Sequence, residues 1–219
     1  TPALAIAVAT VNGVGLMISS FRTSLDDWLG DTLTADVYIS AGGDGAALAT
    51  LVDSGALTAV AGVADMSLTQ MRVLQTPGGD VALRAFQPGA RGWGLVIVAG
   101  EPTDTFAQLQ SGRGVVASER LLFARGLRVG DALELPSPTG LQRLRISGAF
   151  RDFNTAIPAV VMTLESYRRD WNDRELSGAG LDLEEGADTA TVEAAVRALL
   201  GGTYGGRVRS SDAIERLSL

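Results

Sequence analysis

Apolar residues dominate the start of the chain. The first 21 residues carry no charge, and positions 3–18 read ALAIAVATVNGVGLMI, interrupted only by Thr10, Asn12 and two glycines. At about 1.5 Å of rise per residue, a helix over positions 3–21 is roughly 28 Å long, close to the hydrocarbon thickness of a bilayer. The pattern predicts a membrane-spanning helix that continues into a stalk, residues 1–34 in all. Its apolar positions are Leu4, Ile6, Val8, Val11, Val14, Leu16, Ile18, Phe21, Leu25 and Trp28.

The polar segment RTSLDDWLGD, residues 22–31, supplies the predicted stalk. Leu25, Trp28 and Leu29 recur at helical spacing, so the helix is expected to leave the membrane here. Trp28 then lies either at the membrane interface or in a protein core. Aspartates outnumber Arg22 in this segment, which gives no signal for retention in the cytoplasm, and we expect the body to be extracytoplasmic. A buried helix of a soluble domain is the alternative interpretation of the whole N-terminal segment.

Beyond the stalk, short strands and helices alternate. ADVYIS at 35–40 alternates apolar and polar residues like a half-buried strand, and residues 46–53 have helical spacing. The middle of the chain is rich in β-branched residues and in turns containing Pro and Gly, such as TPGGD. Near the end, Thr163 and either Asp188 or Thr189 are expected to cap helices that begin after them, as is Ser118 earlier in the chain.

These elements predict an α+β fold with two lobes. A βαβ-containing, membrane-proximal lobe is expected from both chain ends, residues 35–75 and 157–219, and a β-rich inserted lobe from residues 76–156. The alternative is a single continuous mixed sheet, with the remaining elements packed on it.

Composition excludes much chemistry. The chain has 219 residues and contains no Cys, no His and no Lys, so Ser-His-Asp, Ser-Lys, Schiff-base and P-loop lysine chemistry are impossible within it. Zinc, copper and haem sites normally draw on His or Cys, so only hard-cation sites made of carboxylates and carbonyls stay open. The segment GGDG at 42–45 lacks the alternating acidic ligands of a calcium loop and is typical of a turn. The acidic residues Asp152, Glu165, Glu184 and Glu185 have no spacing that selects a glycosidase pair. We therefore expect no catalytic residues, no metal and no cofactor, and not an enzyme.

Charge argues in addition against nucleic acid as a partner. The formal net charge is -7, and the 18 basic residues, all Arg, are scattered without forming a basic stripe. We therefore expect no nucleic-acid partner.

Two segments resemble a known family. SFRTSLDDWLGDTLTADVYIS at 20–40, preceded by an apolar helix, and ASERLLFARGLRVGDALELPSPTGLQRLRISGAFRDF at 117–153 are similar to the extracytoplasmic, MacB-like periplasmic domains of FtsX-like ABC transporter permeases. The strand VVMT and the helix holding Tyr167 and Trp171 agree with this resemblance. It covers nearly the whole chain, and its motifs are turns and packing positions, so no catalytic residue follows from it.

The resemblance implies a location, a set of partners and a mechanism. The domain would face outward from a cell inner membrane or plasma membrane, between the first and second membrane helices of a permease. A cytoplasmic ATP-binding subunit would hydrolyse ATP, and two permeases would pair as a homodimer or heterodimer. The cargo would be lipoprotein, lipid or peptide, with an accessory periplasmic protein as a further partner, or the complex would transmit a signal by mechanotransmission. The alternative function is an extracytoplasmic ligand- or partner-binding sensor, which a groove lined by Leu, Val and Phe would support.

The stalk carries a testable prediction about coupling. Thr23→Pro should interrupt the helix, because proline removes a backbone hydrogen bond and clashes with the preceding turn. If the stalk transmits motion from the membrane, transport-coupled ATPase activity of the whole permease should fall. Unchanged coupled activity would contradict a mechanical role for this helix.

Overall fold

The computed structural model describes residues 35–152, 156–201 and 207–211. Within these ranges no helix combines the length and apolar character needed to cross a bilayer. The predicted membrane and stalk helix, with all ten of its apolar positions, falls in residues 1–34 and so lies outside the described residues. That helix stays a prediction.

Ten strands and five helices form the described part of the chain. The strands are β1 Val37–Ser40, β2 Val63–Leu74, β3 Val81–Gln87, β4 Ile97–Ala99, β5 Val115–Ser118, β6 Ala132–Ser137, β7 Gly140–Phe150, β8 Ala159–Thr163, β9 Gly178–Leu183 and β10 Arg207–Ser210. The helices are α1 Gly45–Asp53, α2 Pro102–Gln110, α3 Glu119–Arg125, α4 Leu164–Trp171 and α5 Thr189–Leu200. The predicted α+β class is confirmed.

Every one of these five helices begins at a side-chain cap. Asp44, Glu101, Ser118, Thr163 and Asp188 each accept a hydrogen bond from the backbone N–H three residues further on. Such caps satisfy one of the donors that the first turn leaves without a partner. The caps predicted at Ser118 and Thr163 are confirmed, and Asp188 is the cap of α5.

The strands from the two chain ends interleave. They lie in the order β10-β1-β9-β2, and each is antiparallel to its neighbours. Consequently β1-α1-β2 and β9-α5-β10 are both βαβ units whose parallel strands are separated by one strand of the other unit. This is the split βαβ, ferredoxin-like arrangement. The βαβ-containing part predicted from both chain ends is therefore present.

The expectation of two lobes gives way to one continuous sheet. The sheet order is β10-β1-β9-β2-β3-β8-β5-β7-β4, with β6 pairing β7 outside this path. The boundary expected at residues 75 and 76 falls in a turn between β2 and β3, which are paired over seven residues. In addition, β8 pairs parallel to β3 and antiparallel to β5, which ties the chain-end strands to those of the middle. This matches the single mixed sheet that the sequence left open, whereas the domain boundaries stay a prediction.

Helices cover the two faces of this sheet unequally. The larger core takes in buried residues of α1, α3, α4 and α5, among them Leu48, Leu121, Tyr167 and Val196. A smaller core contains Leu109 of α2 together with residues of β5, β7 and β8. Among the described elements, α2 is thus the helix that packs over the β8-β5-β7 half of the second face. The other half of that face, over β10-β1-β9-β2, carries no described helix.

A buried polar network joins α4 to this open half of the sheet. The Tyr167 hydroxyl donates to Asp173 Oδ2 at 2.5 Å, and Gln70 Nε2 donates to the same oxygen at 3.1 Å. Ser177 Oγ donates to Gln70 Oε1 at 2.6 Å and accepts from the Met71 N–H at 2.9 Å. The network holds the start of β9 beside β2.

Tyr167 and Asp173, which share a hydrogen bond in this network, both have shifted pKa values. Burial, followed by the hydrogen bond to Asp173, raises the pKa of Tyr167 to about 12. Burial on its own raises the pKa of Asp173, but hydrogen bonds from Tyr167, the Glu175 N–H and Gln70, with the charge of Arg72, lower the pKa overall. The ionised carboxylate of Asp173 is therefore the form that the fold favours.

Tyr167→Phe should lower the free energy of unfolding by about 1–3 kcal/mol at pH 7, because Asp173 loses a hydrogen bond to a charged group. Since the pKa of Asp173 is lowered in the folded state, this contribution is present above its unfolded value of about 3.9 and is lost as pH falls through the folded pKa. Urea unfolding of wild type and variant across pH measures the difference, which should shrink in acid.

A double-mutant cycle with Asp173→Asn supplies the control for this prediction. Additive effects of Tyr167→Phe and Asp173→Asn would show that the hydroxyl stabilises the fold independently of the carboxylate, contrary to the expectation.

Candidate functional site

The open half of the sheet forms a groove. Side chains alternate between the two faces of a strand, so residues that flank core positions such as Val37, Ile39, Leu181 and Val208 face the uncovered side. The groove has a volume of about 570 Å³. Its lining includes Tyr38 and Ser40 of β1, Ser67, Thr69 and Met71 of β2, Arg84 and Phe86 of β3, Val161 of β8, Gly178 and Gly180 of β9, Arg207 and Arg209 of β10, and Trp93 and Leu95 of the β3–β4 loop.

Two glycines of β9 form the floor of the groove. A Cβ atom at Gly180 would lie 2.7 Å from both Ala35 Cβ and Ser67 Oγ, and one at Gly178 would lie 2.9 Å from the backbone oxygen of Ile39. Neither position has room for a side chain without movement of its neighbours. The small floor residues leave the centre of the sheet face open between taller side chains on both sides.

The loop between β3 and β4, residues 88–96, forms one wall. The rings of Trp93 in this loop and Phe86 on β3 are tilted against each other, with their centroids 5.7 Å apart. Trp93 and Leu95 also pack against the smaller hydrophobic core. This wall is therefore apolar, and it separates the groove from the part of the sheet that α2 covers.

Arg91 fastens the loop to the sheet. Its Nη1 donates to Asp36 Oδ1 at 3.0 Å and its Nη2 to Asp36 Oδ2 at 2.5 Å, while Nε lies 3.5 Å from Asp182 Oδ1. Next to Arg91, the Ala90 N–H donates to Asp65 Oδ2 at 2.6 Å. Asp182 lies on β9, Asp65 lies beside it on β2, and Asp36 directly precedes β1 on the other side of β9. One loop therefore contacts three aligned carboxylates.

The electrostatics of this cluster depend on Arg91. Burial raises the pKa of Asp182, the positive charge of Arg91 counteracts that shift, and the negative charges of Asp36 and Asp65 reinforce it. The pKa of Arg91 is raised, mainly by its hydrogen bond to Asp36. Arg91 thus relieves repulsion between carboxylates that the strand register forces together.

Arginines line the two ends of the groove. Arg84 Nη2 donates to Asp152 Oδ2 at 2.9 Å, so its charge is balanced. Arg207 and Arg209, on β10, have no carboxylate within salt-bridge distance among the described residues. Although the chain carries a net charge of -7, the balance of charge lining the groove is positive.

The two ends of the described chain meet beside the groove. The Ser211 N–H donates to the backbone oxygen of Asp36 at 3.0 Å, and the Ser211 hydroxyl donates to the backbone oxygen of Ala35. Asp36 therefore joins the point where the chain enters the sheet, the point where it leaves, and, through Arg91, the wall of the groove.

Comparison with known proteins assigns the chain to a family. The sequence model of the MacB-like periplasmic core domain matches residues 3–199. The chain belongs to this family.

Solved relatives show that the fold of this MacB-like periplasmic core domain is shared. The extracellular domain of the noncanonic ABC-type transporter YknZ from Gram-positive bacteria superposes with a TM-score of 0.56 at 16% identity, covering 80% of this chain and 99% of that one. The periplasmic region of MacB from Actinobacillus actinomycetemcomitans gives a TM-score of 0.54 at 12% identity, covering 87% of this chain and 95% of that one.

The chain is also similar to part of a longer protein. An ABC transporter permease protein of Mycobacterium tuberculosis is 25% identical over 232 residues, which cover 99% of this chain and 26% of the relative. This MacB-like domain thus spans about a quarter of the length of the curated relative that it matches.

The groove of this MacB-like domain is built from residues that sequence reasoning missed. The ten predicted site positions all fall in residues 1–34, so the structure neither brings them together nor separates them. A signal was available in the alternation of Tyr38 and Ser40 with core residues, but which strands lie beside β1 depends on pairings that are distant in sequence. Within the described ranges no group of three or more acidic side chains is arranged to hold a metal ion.

Arg91→Met should loosen the groove wall. Amide hydrogens of residues 89–92 are expected to exchange faster, because the loop loses its ionic contacts with Asp36 and Asp182. The pKa of Asp182 should rise further, since the positive charge of Arg91 is the group that lowers it. A raised carboxyl pKa makes the variant lose stability as pH increases from about 3.9 through the folded pKa. Hydrogen exchange and NMR titration of the carboxyl carbons measure both effects.

Arg197→Met is the matched control. It removes an ion pair with Glu193 on α5 and a hydrogen bond to the backbone oxygen of Val208 on β10, both away from the loop. Equal exchange at residues 89–92 in Arg91→Met and Arg197→Met would refute the fastening role of Arg91.

Proposed function

We propose that this domain is the extracytoplasmic part of an ABC transporter permease and that it couples ATP hydrolysis by a cytoplasmic ATP-binding subunit to movement of cargo. Membership of the MacB-like periplasmic core family supports this proposal. So does the similarity of this chain to part of an ABC transporter permease protein. The domain then faces outward from an inner or plasma membrane. The membrane and stalk helix expected at residues 1–34 would connect it to the bilayer.

The observation that carries the mechanism is the connection through Asp36. Its backbone bonds to Ser211 where the chain leaves the sheet, and its carboxylate holds Arg91 of the groove wall. Motion that separates or rotates the two chain segments acts on β1 and β10 directly. The same motion moves the Asp36 carboxylate and therefore the loop that carries Trp93.

This connection gives the groove two states that membrane motion can select. While Ser211 stays bonded to Asp36, Arg91 is held by Asp36 and Asp182, and Trp93 of the wall packs against Phe86. With the ends displaced, the Arg91 contacts weaken and the wall is free to open. A cargo molecule or a cargo-carrying protein held in the groove would be released or accepted at that step.

Partners follow from the same proposal. Two permease chains, identical or different, would share the ATP-binding subunits, and membrane lipid would surround the helices. The cargo class comprises lipoprotein, lipid or peptide, with an accessory periplasmic protein as a further partner. The same linkage run without cargo would transmit a signal across the membrane.

A second candidate function is supported by the groove itself. Phe86, Leu95 and Val161 line it, in agreement with the apolar groove expected of an extracytoplasmic ligand- or partner-binding sensor. A sensor of this kind would bind its ligand without driving transport. The two functions differ in whether a change in the groove alters ATP hydrolysis.

Arg91→Met in the whole permease, purified with its ATP-binding subunit in lipid nanodiscs, tests the coupling. Basal ATPase activity should be retained, because the change lies far from the nucleotide, whereas the extra activity induced by cargo or accessory protein should fall about tenfold. Arg169→Met, which removes an exposed ion pair with Asp170 on α4, is matched in charge and should leave both activities unchanged. Full cargo-dependent activity in Arg91→Met would reject the coupling, and a permease that binds cargo in the groove without any change in ATP hydrolysis would establish the sensor.

A further inference from the structure

We infer that the groove binds a single-chain amphiphile, a molecule with one apolar chain and one anionic head group, carboxylate or phosphate. This inference deepens the proposed function, because it names the chemical class of molecule that the groove takes. It is carried by two properties of the lining that occur together, an apolar wall and a pair of arginines that have no carboxylate partner within the described ranges of the chain.

The apolar chain is accommodated by the inner part of the groove. Phe86, Trp93, Leu95 and Val161 face the cavity from β3, β8 and the fastened loop. Met71 of β2 also lines the groove, and 51% of its surface is exposed. A volume of about 570 Å³ lies within the range of roughly 300–1,000 Å³ typical of small-molecule sites.

The anionic head group is accommodated at the β10 edge. Arg207 and Arg209 are two residues apart on one strand, so both face the groove at a separation of roughly 7 Å along the strand. Ser40 lies directly opposite Arg207 on β1 and places a hydroxyl beside it. Guanidinium groups bind carboxylate and phosphate oxygens with paired, charge-assisted hydrogen bonds.

Ligands of other charge fit less well. A cation would meet Arg207 and Arg209, and the nearby carboxylates of Asp36 and Asp182 are already engaged by Arg91. An uncharged chain would leave the two guanidinium groups unused. The small floor at Gly178 and Gly180 admits one chain lying across the sheet between the arginines and the aromatic wall.

The test uses the 219-residue chain and four probes with the same dodecyl chain, each below its micelle concentration. Trp93 lies in the wall, so its fluorescence reports occupancy, and Trp93→Phe should abolish the ligand-dependent signal. Dodecanoate and dodecyl phosphate should bind about tenfold more tightly than dodecyl maltoside or dodecyltrimethylammonium. Equal affinity for all four probes would overturn the inference. Binding to phosphatidylglycerol vesicles without binding of monomeric dodecanoate would overturn it as well.

Two variants locate the site. The double variant Arg207→Gln, Arg209→Gln should weaken the binding of dodecanoate about tenfold and leave the binding of dodecyl maltoside unchanged. The control double variant Arg120→Gln, Arg128→Gln removes the same charge elsewhere and should not change the affinity for either probe. Thr69→Phe should fill the space opposite Phe86 and weaken the binding of all four probes. If dodecanoate binds both Thr69→Phe and the β10 variant as tightly as it binds the wild type, its site lies elsewhere on the chain, contrary to the inference. Because no ATPase is present, failure here leaves the coupling of the whole permease to be decided by its own assay.

Discussion

The contact between Arg91 and the carboxylates of Asp36 and Asp182 is the constraint on which the open face of the sheet depends. Strand register places negative charges side by side at this point, and like charges at such positions repel. One arginine from a distant loop offsets the repulsion and in the same step fixes the loop over the sheet. Relief of charge repulsion and placement of the groove wall are therefore the same interaction.

The sheet is covered unequally for a related reason. Four of the described helices bury their apolar sides against one face, whereas α2 covers only the β8-β5-β7 half of the other. The remaining half carries glycine, serine and threonine on its floor and several apolar side chains along the wall and on β2. An uncovered sheet face of this composition remains compatible with water and still offers an apolar lining to a ligand.

Local sequence signals predicted most of the elements, because caps and alternation act over a few residues. Ser118 and Thr163 were identified as caps for this reason, as was the α+β class. Two lobes were expected in preference to a single sheet. The single sheet depends on the pairing of β3 with β8 across more than seventy residues of chain, and no local pattern predicts such a pairing. The groove was missed for the same reason: Arg209, Tyr38, Gly180 and Ser67 become neighbours only through pairings of four separate strands.

The hydrogen bond between Ser211 and Asp36 also bears on how such a domain spreads among proteins. A unit whose two boundaries meet side by side occupies the place of a short loop, since it adds mass without forcing the flanking segments apart. It can therefore be grafted into a host chain, or exchanged for another of its kind, while the host keeps its own geometry.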